Sequence, residues 1–186
     1  MSMYGTLFIL IYLYRSYLSF YVLYLFITYN DTLIWQIKKK NSNLNNLKFI
    51  INAQYLKDLS FENPRAPDSL KNFSSNPTFK IDVDVKSKTL PDHGPNIHEV
   101  ELVIKGETKV EDDSLFVIEG SYCGIFTIEN AEQEILERIL LIECPKFLFP
   151  FLRSIIANCS REGGFPPLMI NPVDFIAMYE KKRQAK

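Results

Sequence analysis

The chain has 186 residues, 47% of them hydrophobic, enough for one sizeable core, and the length favours a single main domain. Its formal net charge of −1 hides an asymmetry: residues 1–48 carry five Lys/Arg and one Asp, whereas residues 49–186 carry sixteen Lys/Arg against twenty-one Asp/Glu. An acidic body disfavours nucleic acid as a partner and suits a basic protein surface, while three widely spaced cysteines exclude a disulfide framework or a CxxC site and fit a reducing compartment.

The first segment, Gly5 to Tyr29, is apolar and long enough to cross a bilayer, although Arg15 sits inside it. Lys38, Lys39 and Lys40 follow as a positive flank, and no small-residue cleavage site supports a signal peptide. Two readings of residues 1–48 stand: a membrane anchor, or translated upstream sequence outside the working protein. The narrow alphabet of the segment favours the second. The absence of Met between Met3 and Met169 means that a shorter product would need a non-AUG start.

From residue 49 onward the pattern reads as one domain, 49–186. YLKDLSFE, Tyr55 to Glu62, alternates imperfectly and is ended by Pro64 and Pro67. In FKIDVDVK, Phe79, Ile81, Val83 and Val85 point one way and Lys80, Asp82, Asp84 and Lys86 the other, as in a half-buried strand. His98 to Val110 repeats the pattern. Leu115 to Ile128 gives a fourth strand, with Gly120 and Gly124 as bulge or close-approach positions. The period then becomes helical. Asn130 and Gln133 are placed to form a capping box for residues 131–143, Cys144-Pro145 is expected to interrupt the helix, and a longer helix covers Phe147 to Arg161. In that helix Pro150 is expected in the first turn or at a kink, and Gly163-Gly164 stop it. A last helix is read with Asn171 as N-cap and Pro172 at the first helical position. Strands first and helices after them predict an α+β fold: a four-stranded antiparallel sheet with C-terminal helices packed on one face, one sheet face apolar and the other acidic.

No phosphate-binding loop, dinucleotide fingerprint or nucleophile elbow is present, and His93 and His98 alone make no metal set. The reading is therefore of a non-enzyme without cofactors. Asp82/Asp84 and Glu99/Glu101 share strand faces, which a solvated sheet surface explains.

The blocks YLKDLSFENPRAP, PTFKIDVDV, EGSYCGIFTI, CPKFLFPFLR and GGFPPLMINPVDFIAMY resemble the SecB family of bacterial protein-export chaperones over residues 50–180. The resemblance implies a cytoplasmic homotetramer, a dimer of dimers, acting as an ATP-independent holdase that passes unfolded secretory precursors to the motor SecA. It places SecA docking at Asp58, Glu62, Val117 and Glu119. Client-groove candidates are Phe73, Phe79, Phe126, Phe149, Phe165, Leu168 and Met169, because shape-tolerant apolar walls hold unfolded segments regardless of their order. In the long helix, Phe151, Leu152, Ile155 and Ile156 are expected to seal helix against sheet and subunit against subunit. Two departures are visible: Ser75 stands where the family has an aromatic, with Phe73 two residues away, and the basic end EKKRQAK differs from the acidic tails of some relatives. Two alternatives remain: a membrane-anchored adaptor recruiting a basic partner through the acidic face, and a carrier or enzyme that takes a small ligand in the same apolar groove.

Overall fold

The computed structural model describes residues 46–71, 77–111 and 113–184. The hydrophobic extension, its anchor reading, Phe73 and Ser75 lie outside them, save for the last residues before the body. Among the described residues no helix is long and apolar enough to cross a membrane. The body, Lys48–Lys186, forms one compact unit.

Four strands, β1 (Lys48–Glu62), β2 (Thr78–Thr89), β3 (Ile97–Val110) and β4 (Asp113–Glu129), form an antiparallel sheet in the order β1-β4-β3-β2. The architecture is the expected one, but β1 begins seven residues earlier than its alternation indicates. Two register shifts against β4, between Ile51 and Ala53 and between Leu56 and Asp58, reverse the phase twice and break the period. One face consequently carries Phe49, Ile51, Gln54, Leu56, Leu59 and Phe61, opposite the even-numbered residues of β4.

Helices follow on that face: α1 (Gln133–Arg138), a π-helical turn (Ile139–Glu143), α2 (Cys144–Glu162) and α3 (Phe175–Gln184). Leu148, Leu152 and Ile156 of α2 are fully buried. Gly120 and Gly124 are the close-approach positions on β4. A Cβ at Gly120 would lie 2.8 Å from Leu152, and one at Gly124 2.5 Å from Phe126 and 2.9 Å from Leu148.

Four helix expectations are corrected. Cys144-Pro145 does not interrupt the helical run; the π-helical turn just before it lets the chain stay helical past a residue without an N–H. Pro150 lies inside α2, beyond its first turn, and is exposed, a place where the hydrogen bond that proline forfeits is open to replacement by water. Asn130 is not the cap: it adopts φ 61° at the end of β4, and Glu132 precedes the first turn without a side-chain cap. At α3 the cap is Asp174, not Asn171, because its Oδ1 accepts from both Ile176 N and Ala177 N at 3.0 Å.

Candidate functional site

Two surfaces on opposite faces of the sheet carry the candidate residues. On the face turned away from the helices, register sets Glu62 opposite Val117, Ser60 opposite Glu119 and Asp58 opposite Ser121. The four predicted docking residues are therefore brought together in a short two-strand patch. Asp58 and Glu62 are exposed and have no cationic partner among the described residues. Glu119 faces Lys105 at 3.3 Å, while Glu101, Glu107 and Glu129 pair with Lys57, Lys109 and Lys48 at 2.9–3.0 Å. Free carboxylates thus concentrate at this end of β1.

Beside the patch lies a polar cluster that the sequence reading took for a solvated face. Tyr55 Oη donates to Glu99, Lys88 pairs with Glu99 at 2.5 Å, and Ser121 Oγ donates to Glu101 at 2.5 Å. Within it Glu99 and Ser121 are buried, and so is Cys123. The first shift in β1 brings Tyr55 to this face, and its position five residues from Ile50 carries no sequence signal of that.

The cluster gives stability a pH profile. Burial pushes the Glu99 carboxyl up, but hydrogen bonds from Lys88 and Tyr55 outweigh it and hold the group below its ordinary 4.5. Glu101 is lowered chiefly by the Ser121 hydrogen bond. Burial lowers His98 from 6.5 and raises Cys144 well above 9.0, and the Glu99 hydrogen bond raises Tyr55 from 10.0. A lowered histidine or carboxylate leaves the unfolded chain binding more protons as pH falls, and a raised thiol or phenol leaves it binding fewer as pH rises. The urea midpoint should therefore be flat from pH 7 to about 8.5, decline first below about 6.5 as unfolded His98 protonates, drop further below about 4.5, and fall again above about 9. A midpoint that rises between pH 6.5 and 5.5 contradicts this assignment.

The second surface is a groove of about 650 Å³ on the helix-bearing side, along the edge strand β2. Phe79, Ile81 and Val83 form one wall, Phe116 contributes, and the other wall comes from the segment Pro166 to Asn171 and Val173. Ser160 fixes that segment: fully buried, it accepts Leu168 N at 2.8 Å through Oγ and Phe165 N at 3.1 Å through its carbonyl. Sequence reasoning passed over Ser160, since a serine within a helix end carries no signal of its own.

The groove candidates divide. Phe79 and Met169, 52% and 62% exposed, line the groove with Leu168. Phe126, Phe149 and Phe165 do not: all three are buried. Phe126 sits on the central strand β4 with Phe49 at 5.7 Å, Phe149 packs on Phe175 at 6.2 Å, and Phe165 packs on Phe116 at 4.7 Å. The central place of β4 explains the burial of Phe126, packing against Phe175 and Phe116 that of Phe149 and Phe165, and edge position the exposure of Phe79.

The β2 edge adds backbone groups. Leu90 N donates to Ile97 O at 2.8 Å in continuation of the β2–β3 register, so even-numbered β2 residues bond to β3 and odd-numbered ones turn N–H and C=O outward. Lys182 of α3 occupies one such carbonyl, Val85 O, at 3.3 Å, and pairs with Asp84 at 3.3 Å. Phe79, Ile81 and Val83 thus present both side chains and edge backbone to the groove.

Among the described residues no group of three His, Cys, Asp or Glu is placed to hold a metal ion. Comparison with known proteins is consistent across methods. The profile of the family described as preprotein translocase subunit SecB matches residues 42–186. The chain is similar to the protein-export protein SecB of Afipia carboxidovorans, at 47% identity over 136 residues, 72% of this chain and 83% of the relative. It is 48% identical over 132 residues to that of Xanthobacter autotrophicus, covering 71% and 83%. In fold it resembles a Mycobacterium tuberculosis SecB-like chaperone in complex with a ChAD peptide from an antitoxin, with a TM-score of 0.58 at 13% identity, over 74% of this chain and 99% of that one.

Proposed function

The chain belongs to the SecB family of protein-export chaperones, and from that premise we propose that it is an ATP-independent holdase of the cytoplasm. It captures unfolded secretory precursors and hands them to the export motor SecA. The observation that carries the reading is the groove along β2, with apolar walls and an open backbone edge side by side. An extended client segment laid against Phe79, Ile81 and Val83 gains main-chain hydrogen bonds whatever its sequence, and its alternate side chains enter the groove. Apolar burial there is worth about 25 cal/mol per Å², again regardless of order. The antitoxin peptide bound by the mycobacterial SecB-like chaperone supports a polypeptide as ligand.

Capture of a long client needs several grooves joined, which self-assembly supplies through effective concentration. Phe151, 41% exposed although stacked on Tyr122 of the sheet at 5.8 Å, supports an assembly contact along the exposed flank of α2, while Leu152 and Ile156 seal helix to sheet. The docking surface for SecA is the patch of Asp58, Glu62, Val117 and Glu119, on the opposite sheet face from the groove, so that client and motor bind together. The test is light scattering combined with dilution of a denatured client into the protein without ATP. A mass of four chains and suppressed turbidity are expected. A monomer that lets the client precipitate as it does in buffer overturns the reading.

A further inference from the structure

The docking patch depends on the irregularity in β1. Between Leu56 and Asp58 the register against β4 shifts, so that Lys57 is an extra residue with no partner of its own. Its Nζ reaches across β4 to Glu101 of β3 at 3.0 Å, and Glu101 in turn accepts Ser121 Oγ at 2.5 Å, with Ser121 directly opposite Asp58. The consequence lies in the phase of the strand. Leu56, Leu59 and Phe61 turn toward the helices and Asp58, Ser60 and Glu62 away from them only because one residue is looped out here.

We infer that Lys57 is a positioning residue for SecA docking: tied to Glu101, it holds the bulge that sets Asp58 and Glu62 beside Val117 and Glu119. The inference rests on the docking reading above and adds to it a residue that opposes simple charge bookkeeping. Lys57 is a cation in an acidic patch. Removing it makes the patch more negative, and long-range attraction to a basic partner then rises. Loss of the bulge clamp instead scatters the two carboxylates and weakens binding. The two accounts differ in sign.

The experiment compares Lys57→Met, Lys57→Arg and Lys80→Met in the full chain, with SecA affinity by calorimetry, client capture by turbidity, and amide exchange along β1. Lys80→Met removes a cation from the same face without touching the bulge. The expected results are about fivefold or greater weakening of SecA binding in Lys57→Met, recovery in Lys57→Arg, equal or tighter binding in Lys80→Met, and unchanged client capture throughout. Exchange at the amides of residues 58–60 should quicken about tenfold or more in Lys57→Met alone. Unchanged or tighter SecA binding by Lys57→Met overturns the inference, as does unaltered exchange across the bulge. A wild-type chain that fails to bind SecA removes the docking reading, and amide exchange still decides whether Lys57 holds the bulge.

Discussion

Reversing two charges in a Glu62→Lys, Glu119→Lys variant is expected to abolish SecA binding while leaving client capture intact. Both residues lie on the sheet face away from the helices, one step apart across β1 and β4, and Glu62 has no cationic partner among the described residues. A basic segment docking there gains from a field that the variant inverts, changing the local charge by four units. Like-charge juxtaposition costs several kcal/mol, so a loss of about 100-fold or more is expected at low salt, shrinking as added salt screens the wild-type attraction. In the proposed function client capture uses the opposite face, so it should not move. Glu119→Lys also replaces the ion pair with Lys105 by two facing cations. A Glu62→Lys, Glu119→Gln variant therefore serves as the control, expected to lose most of the affinity with thermal stability near wild type. Calorimetry at 50 mM and 300 mM salt separates the cases, and SecA affinity unchanged at the lower salt rules out this surface.

The strands with one buried face were legible because FKIDVDVK alternates strictly and HEVELVIK does so except at Val103, and the observed β2 and β3 keep one phase throughout. β1 was legible only from Tyr55 onward, and there imperfectly. Alternation assumes that every residue has a partner, and the extra residues at Asn52 and Lys57 violate that assumption twice; no shift falls between Asp58 and Glu62, so these two share a face as the alternation indicates. The helical run from α1 through α2 defeated a rule about proline that holds for isolated helices. A widened turn before Pro145 and solvent beside Pro150 remove the penalty that the rule encodes. Depth was the least legible property. Phe79 and Phe126 point to the same sheet face, and only the strand order, with β4 central and β2 at the edge, makes one half-exposed and the other fully buried.

That division of the aromatics predicts opposite outcomes for two truncations. Phe165→Ala should cost about 3–5 kcal/mol of stability, the usual range for emptying a fully packed phenylalanine site. Its ring is 3% exposed, 4.7 Å from Phe116 and 6.3 Å from Phe61, and its backbone is tied to Ser160 at the turn that leads into the groove wall. The cavity opens where three elements meet, so little relaxation is available. Phe79→Ser removes a ring that is 52% exposed on an edge strand, and its stability cost should stay within about 1 kcal/mol. Its effect should instead fall on capture: the ring forms one wall of the groove, and its loss leaves the client's apolar groups facing water on that side. Urea unfolding and turbidity assays run on both variants give a double dissociation, with the midpoint moving in Phe165→Ala and the capture stoichiometry or concentration dependence moving in Phe79→Ser. If Phe79→Ser holds clients as well as wild type does, the groove along β2 is not where they bind. If Phe165→Ala unfolds at the wild-type urea concentration, the Phe61, Phe116 and Phe165 cluster is not the support on which that groove stands.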